Sequence, residues 1–573
     1  MWSLFFVSFG LLVGIGAQPT DKAAKQQNLD WWKTSVIYQI YPRSFKDSNG
    51  DGIGDLNGIT EKLEHIKDAG ADALWLSPIY SSPQKDFGYD ISNFTDIAEE
   101  YGTLDHFDQL VAKAKKLGVK VLLDFVPNHS SDEHEWFKKS VKRIKPYDEY
   151  FVWRDGKIGP KGERLPPNNW LSVFGKSAWE WNEERKQYFY HAFVVGQPDL
   201  NYRNPKLRQE MEDVLTFWMK RGVDGFRVDA VNHMFEVANL RDEPRSGKAV
   251  PVDDYDFLDH TYTRDLNETY GVVASWQKLL DNFVAQHKTD GKLMILEAYT
   301  SIPKSMQFYS VGANPFNFMF IADLNQNSKA IDFKRKIDDW LNAIPEGKVS
   351  NWVVGNHDNH RVATRYGEKR EDQLTLLSAI LPGITVVYNG DEIGMVDRPF
   401  TYAETVDPAG CNAGPDRYHL KSRDPERTPY QWDATTSAGF STSTKTWLPV
   451  HDNYKTLNLA AQKKDAVSHY KLFQATTKLK KTPVIQKGRT EVLLAGENVL
   501  AVVRRLSGQG TVTLLINFSD KPVKVDAKGW LNIPMKAQIY AASVKSGLKA
   551  GAQVKVDDVT LPGAASVILY SRA

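Results

Sequence analysis

The sequence predicts an α/β protein: a (β/α)8 TIM barrel with an inserted subdomain after the third strand and a C-terminal antiparallel β-domain. Three observations lead to this fold class. Strand-like and helical runs alternate from Trp31 onward, successive helices end in the same glycine joint, and short strand-like runs separated by Gly-rich turns replace this pattern after Lys480. Alternating strands and helices are typical of parallel sheets with helical crossovers, whereas successive short strands are typical of antiparallel sheets.

The helix-to-strand joints repeat along the first half of the chain. Gly70, Gly118 and Gly222 each stand between the end of a helical run and a run of apolar residues. Glycine readily adopts the left-handed conformation that closes many helices, and a short apolar run is typical of a strand that is buried on both faces. We therefore expect a helix, a glycine cap and a buried strand at each joint.

Eight strand-like runs are found, which is the number that closes a (β/α)8 barrel. The expected strands are Val36–Phe45, Ala73–Tyr80, Val121–His129, Gly225–Val231, Lys292–Tyr299, Pro315–Ile321, Asn351–Asp358 and Ile384–Glu392. A doubly wound open sheet is the alternative. It is disfavoured because no Gly-rich phosphate loop follows the first run.

The expected barrel is interrupted between its third strand and the following helix, where a segment rich in Trp, Pro and Lys lacks clean periodicity. We expect the barrel at residues 31–129 and 203–480, the inserted subdomain at 130–202 and the β-domain at 485–573. Because the loops at the C-terminal ends of barrel strands build the active face, the insertion is expected beside the barrel mouth.

Residues 1–17 are apolar and end in small residues before a polar run, which predicts a cleaved signal peptide and a secreted, extracellular protein. A retained membrane anchor is the alternative. Sequons at Asn93, Asn267 and Asn517 predict N-glycosylation, whereas the sequon at Asn128 is expected to stay bare because it lies at the predicted mouth.

The charge balance narrows the possible partners, and the cysteine content excludes disulfide cross-links within the chain. In 573 residues, 72 Lys and Arg face 71 Asp and Glu, so that the formal net charge is +1. No basic excess exists to release counterions from nucleic acid, so nucleic acid is not expected as a partner, and no stable membrane insertion is expected. Cys411 is the only cysteine in the sequence, which excludes an internal disulfide. The oligomeric state stays open.

Arg227 and Asp229 stand two residues apart at the end of the fourth expected strand. Residues i and i+2 of a strand share a face, and a neighbouring guanidinium favours the ionised form of a carboxylate. An ionised carboxylate at a barrel mouth can act as a nucleophile. A purely structural Arg–Asp pair is the alternative, and only partners from other strands decide between the two.

Other strand ends supply such partners. The third gives 124–129 (Asp-Phe-Val-Pro-Asn-His), the fifth ends at Glu297, the seventh ends at Asp358, and 86–90 (Asp-Phe-Gly-Tyr-Asp) follow the second. Charged residues at the C-terminal ends of several barrel strands are typical of catalysis rather than of packing. We therefore expect an active site assembled from these strand ends.

These runs, together with 197–201 (Gln-Pro-Asp-Leu-Asn) and 423–432, resemble glycoside hydrolase family thirteen, the α-amylase superfamily. The Gln-Pro-Asp-Leu-Asn run is similar to that of the oligo-1,6-glucosidase and α-glucosidase branch. The runs 297–300 and 407–412 resemble those of insect-type maltases most. The resemblance covers nearly all of the chain after the predicted signal peptide.

The resemblance implies a retaining double displacement on an α-glucoside. Asp229 is then the nucleophile and Glu297 the general acid and base, with their carboxyl groups about 5 Å apart as retention requires. Asp358 is implied to bind the sugar hydroxyls more strongly in the transition state, which is where binding accelerates a reaction.

The resemblance also implies which residues bind the terminal glucose of short oligosaccharides and disaccharides. They are Asp86, Tyr89, His129, Arg227, His357 and an arginine of the 423–427 stretch, for which we favour Arg423 over Arg427. A pocket closed in this way predicts exo-action on maltose and sucrose rather than internal cleavage of starch. Ala230 follows the nucleophile where related α-1,6-specific enzymes usually have Val, which favours α-1,4 links.

A calcium site is implied directly after the first strand. Asp47, Asn49, Asp51, the Ile53 carbonyl and Asp55 resemble the start of an EF-hand loop, and the family match implies one structural Ca²⁺ there. The twelfth position is Gly58 rather than Glu. A plain Asn-Gly and Asp-Gly turn with solvated carboxylates is the alternative.

Two other functions have to be weighed. Proteins with this barrel also serve as extracellular transporter subunits or receptors, but several of those lack catalytic carboxylates that are all present here. A sucrose isomerase or transglucosylase would share the first half-reaction and differ only in the group that attacks the intermediate. The sequence favours a hydrolase and leaves some glucosyl transfer open.

Overall fold

A computed structural model describes residues 27–528 and 536–571, so the predicted signal peptide lies outside the described residues. In this part of the chain, eight parallel strands form one curled sheet whose order in space is six, five, four, three, two, one, eight, seven along the chain. The strands are Val36–Ile40, Ala73–Leu76, Lys120–Phe125, Gly225–Val228, Leu293–Leu296, Asn314–Pro315, Asn351–Val353 and Ile384–Tyr388. They are almost entirely buried, as expected for strands covered on both faces.

The sixth and seventh strands are connected by the side chain of Asn351 rather than by backbone hydrogen bonds between the two strands. Asn351 Nδ2 donates to the carbonyl of Pro315 at 2.7 Å, and Asn351 Oδ1 accepts from the amide of Asn317 at 2.7 Å. The amide group of Asn351 thus occupies backbone groups that a strand would otherwise pair. The predicted (β/α)8 fold class is confirmed.

The prediction for the sixth strand was wrong in its extent. Pro315–Ile321 was expected, but the strand is Asn314–Pro315 and a helix follows at Met319–Ala322. Asn317 Oδ1 accepts from the amide of Met319 at 3.1 Å, which starts the helical turn. The other expected strands also end earlier than predicted, since their last residues form the loops at the mouth.

Helices surround the sheet. The helix Leu104–Leu117 illustrates how the sequence determines where they begin, pack and end. Thr103 caps its start, Phe107 and Leu110 are buried on one face, and Gly118 ends the helix at φ +70°. The helices are Leu56–Glu61, Leu63–Asp68, Leu104–Leu117, Pro205–Lys220, Glu268–His287, Ile302–Ser310, Met319–Ala322, Ala330–Ala343, Val362–Tyr366, Glu371–Ile380, Pro408–Ala413, Leu459–Lys464, His469–Lys480 and Pro483–Lys487.

The segment after the third strand folds on its own aromatic core. It holds the helix Glu135–Val141, a sheet of Trp153–Arg154, Gln187–Tyr190 and Trp179–Asn182, and the hairpin Lys157–Ile158 with Arg164–Leu165. Trp170 and Trp179 stack at 5.8 Å. A bridge between His129 and Asp199 joins the segment to the end of the third strand, so its loops reach the mouth.

The C-terminal part is an antiparallel sheet packed on the barrel. In the described residues its strands are, in spatial order, Arg489–Ala495, Val499–Leu506, Gly510–Asn517, Ser566–Ser571, Lys536–Ala542 and Gln553–Lys555, with Val523–Val525 paired to Val559–Leu561. Gln373 of the barrel donates to the carbonyls of Asn517 and Ala564 at 3.1 and 2.8 Å. Such buried polar bonds fix how the sheet sits on the barrel.

Among residues 27–528 and 536–571, no helix combines the length and the apolar character that crossing a bilayer requires.

Candidate active site

A cavity of about 350 Å³ opens at the C-terminal ends of the barrel strands. It brings together most of the residues that the sequence singled out, with aromatic residues of the insertion and of later loops around them. Its lining consists of Asp86, Tyr89, His129, Val173, Phe174, Phe193, Asp229, Ala230, Asn232, His233, Tyr255, Arg264, Glu297, Tyr299, Asp358, Asn359 and Arg423. Arg227 and His357 lie directly behind this surface.

Arg227 joins three carboxylates at the floor of the cavity. Its Nη1 donates to Asp229 Oδ1 at 2.6 Å and to both oxygens of Asp124 at 2.8 and 3.0 Å, and its Nη2 lies 2.6 Å from Glu297 Oε2. The guanidinium is 1% exposed. Such charge-assisted contacts in a dry site fix the carboxylates in place.

Asp229 and Glu297 are therefore held by the same guanidinium, each at 2.6 Å. Burial raises the pKa of Asp229 to about 7 and that of Glu297 to about 8, against the opposing charge of Arg227. The amide of Ala230 also donates to Glu297 Oε2 at 3.0 Å. The pair can hold one proton between them near neutral pH, with the higher affinity at Glu297.

Asp358 is held ionised instead. Burial would raise its pKa, but contact with His357 and the charges of Arg427 and Arg423 hold the pKa well below its usual range. Asp358 Oδ1 accepts from Arg427 Nη2 at 2.8 Å and from Arg423 Nη1 at 3.2 Å. The site thus contains one carboxylate that stays charged beside two that titrate near neutrality.

Arg423 lines the cavity together with Asp86. Its Nη2 donates to Asp86 Oδ1 at 2.7 Å, and Asp407, which is fully buried, accepts from its Nε at 2.9 Å. Arg427 lies behind the lining at 0% exposure and contacts Asp358 from the far side. Asp86 accepts a further bond from Gln197 Nε2 at 3.1 Å, in the Gln-Pro-Asp-Leu-Asn run.

His357 is sandwiched between Tyr89 and Tyr41, with ring centroids 5.3 and 5.5 Å away. Its Nε2 lies 2.7 Å from the Tyr89 hydroxyl, and Gln39 Nε2 lies 2.8 Å from its Nδ1. Burial lowers the pKa of His357 well below its usual range, so the ring is neutral. His129 is likewise buried and donates from Nε2 to the Tyr89 carbonyl at 3.1 Å.

Ala230 sits at a tight corner directly after Asp229. Its φ of +42° lies in the left-handed region that a side chain rarely adopts. The following residues Val231–His233 form a turn of 3-10 helix, and the amide of Val231 donates to the carbonyl of Glu297 at 3.1 Å. Backbone strain of this kind is common where a reactive group is presented.

Sequence reasoning assigned no role to two buried acids of the site. Asp124 accepts from Arg227 and from the Tyr89 hydroxyl, at 3.1 Å for the latter, and Asp407 fixes Arg423. Asp124 was counted among the residues at the end of the third strand, but no individual role was assigned to it. The aromatic wall of Phe174 and Phe193 carries no pattern in the sequence that would have marked it.

The loop after the first strand has the turns that the predicted calcium site needs. Asp47, Asn49 and Asp51 each accept, through a side-chain oxygen, the amide hydrogen two residues further on, at 3.0, 2.9 and 2.8 Å. These bonds fold oxygen-bearing side chains back over the loop, and Asp55 caps the helix that follows. With the Ile53 carbonyl, this set has the all-oxygen character that fits Ca²⁺.

The sequons differ in accessibility. Asn93 and Asn267 are exposed. Asn517 is fully buried and its Nδ2 donates to three backbone carbonyls at 2.9 to 3.3 Å, so the folded chain has no room for a glycan there and the prediction for this residue is contradicted. Asn128 is also fully buried, with Nδ2 bonded to Asp199 at 3.0 Å.

Known proteins with similar sequences and folds include maltases and glucosidases. Maltase 1 of Drosophila virilis is 49% identical, with 95% of this chain and 88% of that protein covered, and the salivary alpha-glucosidase of Aedes aegypti is 46% identical, with 94% and 95% covered. The crystal structure of the alpha-glucosyl transfer enzyme XgtA superposes with a TM-score of 0.83 at 34% identity, covering 95% of this chain and 99% of that one.

The model of the alpha-amylase catalytic domain matches residues 39–488, which include nearly all of the barrel, the insertion and every residue of the cavity. On the family match, the identities and the shared architecture, the chain belongs to the α-amylase family, glycoside hydrolase family thirteen.

Proposed function

We propose that the protein is a secreted, exo-acting, retaining α-glucosidase that releases glucose from the non-reducing end of short α-1,4-linked glucosides, with maltose and sucrose as substrates. The observation that carries this is the pair Asp229 and Glu297, joined on one guanidinium in a cavity closed at one end by Arg423 and Asp86. The names of two relatives, a maltase and an alpha-glucosidase, support the substrate class.

In the first step the carboxylate of Asp229 attacks the anomeric carbon of the bound glucose. The bond from that carbon to the glycosidic oxygen breaks, Glu297 gives its proton to this oxygen, and the second sugar leaves. A covalent β-glucosyl ester on Asp229 remains. In the second step Glu297 takes a proton from water, the oxygen of the water attacks the anomeric carbon, and Asp229 is released with α-glucose.

The spacing supports retention. An inverting enzyme places its two carboxyl groups about 6.5–9.5 Å apart to admit a water between them. Asp229 and Glu297 contact the two terminal nitrogens of one guanidinium at 2.6 Å each, which supports the shorter spacing of about 5 Å that direct attack needs.

The remaining groups suit the charge that develops on the sugar. Asp358 stays ionised and can accept sugar hydroxyl hydrogens as the ring flattens toward an oxocarbenium ion. Arg423 and Asp86 offer a donor and an acceptor to the hydroxyls of a terminal glucose. Because their ion pair closes the cavity, a chain that continues beyond this glucose does not fit, and exo-action follows.

Secretion is proposed from the apolar residues 1–17 and from the relative named for saliva. Glycans on the exposed Asn93 and Asn267 would follow from secretion. We also propose that Asp47, Asn49, Asp51, Asp55 and the Ile53 carbonyl hold one structural Ca²⁺. It would brace the loop between the first strand and the helix Leu56–Glu61.

The test is the initial rate of glucose release from maltose, sucrose, isomaltose, trehalose and soluble starch. We expect fast release from maltose and sucrose and slow release from starch. Asp229→Asn is expected to lower kcat for maltose at least ~10³-fold, because an amide cannot form the ester.

Proton NMR of the first turnover separates the mechanisms. Retention gives α-glucose before mutarotation, and β-glucose would contradict the double displacement. Oligosaccharide products at high maltose would show glucosyl transfer, which the XgtA likeness makes worth measuring. Inactivity on all five sugars would overturn the proposal in favour of a binding role.

A further inference from the structure

Three potential metal ligands meet near the active site, and the proposed mechanism gives none of the three a role. His360 follows the seventh strand, Asp397 follows the eighth, and Glu426 ends the short 3-10 helix Asp424–Glu426. His360 Nδ1 lies 2.6 Å from Asp397 Oδ2 and 3.6 Å from Glu426 Oε2, and the three ligand atoms lie within 4.8 Å of one another.

Glu426 is the member of this trio that has an unpaired carboxylate oxygen in the described part of the chain. It is 1% exposed, and its Oε2 accepts no hydrogen bond from the described residues. The next residue, Arg427, directs its Nε and Nη2 to the His357 carbonyl and to Asp358 instead. A buried carboxylate oxygen without a donor is costly unless a cation or a proton compensates it.

Asp397 and His360 are placed so that they can bind the same cation. Asp397 Oδ1 accepts from the amide of Arg361 at 2.8 Å, which leaves Oδ2 turned toward His360. The side chain of His360 is 46% exposed, so solvent reaches the trio from one side. Water from that side can complete a coordination shell, as in open metal sites with three protein ligands.

A second trio among the described residues differs in how its histidine is placed. His469 lies between Glu371 and Asp372, with Nε2 2.8 Å from the first and Nδ1 2.7 Å from the second. Both ring nitrogens are used, and a protonated ring places one positive charge between the two carboxylates. In the first trio Nδ1 alone faces the acids, so replacing its proton by a metal ion ties all three side chains together.

We propose that His360, Asp397 and Glu426 form a binding site for one divalent cation of borderline character, such as Zn²⁺. One imidazole and two carboxylates suit such an ion, whereas Ca²⁺ prefers six to eight oxygens. The ion would tie the loop after the seventh strand to the loop that carries Arg427. Both loops help to position Asp358. The first loop contains it, two residues before His360, and Arg427 of the second loop donates a hydrogen bond to it.

Isothermal titration with ZnCl₂, after dialysis of the full-length protein against EDTA and then metal-free buffer, tests the site without recourse to activity. We expect one site per chain with a Kd of about 1 μM or tighter. Glu426→Gln, a neutral isostere, is expected to weaken it at least ~10-fold, and His360→Gln is expected to abolish it. The matched control is His287→Gln, an exposed histidine at the end of the helix Glu268–His287.

Titration with CoCl₂ adds a spectroscopic readout, because imidazole-bound Co²⁺ in a site of low coordination number absorbs in the visible range. The band is expected in the wild type and in His287→Gln, and is expected to be lost in His360→Gln. Near-UV circular dichroism confirms that each variant is folded. No binding by the wild type, or equal Zn²⁺ affinity in the wild type and in folded Glu426→Gln and His360→Gln, would overturn the proposal.

Discussion

Arg227 contacts three carboxylates, and this charge imbalance sets the protonation of the site. One positive charge does not neutralise three negative ones in a buried cluster, so at least one carboxyl is more stable with a proton. Burial raises the pKa of Glu297 to about 8 and that of Asp229 to about 7. The proton therefore belongs on Glu297, which leaves Asp229 ionised, as a general acid and a nucleophile require.

Asp124 contributes to this balance, so removing its charge is expected to move the pH profile of kcat/KM. The acid limb should report Asp229 and the basic limb Glu297, both above the ordinary carboxyl range because of burial. Asp124→Asn removes a negative neighbour and frees Arg227 for Asp229, and both effects lower the pKa of Asp229. We expect the acid limb to shift about 0.5–1 unit to lower pH.

Asp407→Asn is the matched control, because Asp407 is equally buried but contacts Arg423 rather than Arg227. It is expected to raise KM through a misplaced Arg423 and to leave the limbs nearly in place. An acid limb that moves to higher pH in Asp124→Asn, or equally in both variants, would contradict the assignment.

Ala230→Val tests the selectivity argument. The bulkier side chain beside the nucleophile is expected to lower the ratio of maltose to isomaltose hydrolysis about 10-fold, since methyl-sized changes in a pocket have effects of that order. At φ +42° a β-branched residue also strains the backbone. For this reason the ratio of kcat/KM values is measured rather than either rate, together with Tm. An unchanged ratio in a folded variant would refute the argument.

The site residues that were predicted from the sequence are those at strand ends, where packing in the apolar core does not explain a charged side chain. Asp229, Glu297 and Asp358 are of this kind and meet in one cavity. Asp407 was not assigned a role because it lies in an irregular loop, and its function exists only through contact with Arg423 across the fold. No local pattern encodes such a contact.

At the scale of elements, the sequence marked where strands begin better than where they end. Apolar residues continue past the last ladder bond, as in Phe316 and Phe318 after the sixth strand, where they pack in the core instead of pairing. The strand stops because Asn317 begins a helical turn and Asn351 occupies the neighbouring backbone groups. Hydrophobicity alone does not distinguish packing from pairing.

The loop between the first strand and the helix Leu56–Glu61 is the element at which the proposed calcium can be tested. Dialysis against EGTA is expected to lower Tm by several degrees, and CaCl₂ is expected to restore it, because an ion that binds only the folded chain stabilises it by mass action. Asp51→Asn keeps the turn and removes one charge, so it should reduce the effect of CaCl₂. Should Tm stay unchanged in EGTA, the loop is a hydrogen-bonded turn without metal.

At the scale of the whole molecule, buried cations lie where the barrel meets the C-terminal sheet. Lys480 ends the last long barrel helix at 1% exposure, with Nζ 3.4 Å from the Ala379 carbonyl. Arg504 of the strand Val499–Leu506 donates to the Ile380 carbonyl at 2.7 Å. Arg504 thus binds carbonyls across the interface and lies close enough to Lys480 to oppose its charge.

Lys480 is therefore expected to make folding pH-dependent. Burial, with Arg504 second, lowers the pKa of Lys480 to about 7. Between this value and the unfolded value of about 10.4, the unfolded chain binds a proton that the folded chain has released. Stability consequently rises with pH across this window, and the cost of burying Lys480 is fully present below pH 7.

Lys480→Met keeps the length of the side chain and removes the charge. It is expected to raise the free energy of unfolding by roughly 1–3 kcal/mol at pH 6, and the gain should shrink toward pH 9.5, where the wild-type lysine is neutral in the fold. Denaturant unfolding at both pH values measures the difference. Lys481→Met is the control. Lys481 forms an ion pair with Asp72 at the surface, where both side chains are partly exposed, so this variant should show little change in the free energy of unfolding at either pH. A gain for Lys480→Met that is the same at both pH values would mean that packing, not the buried charge, controls the joint between barrel and sheet.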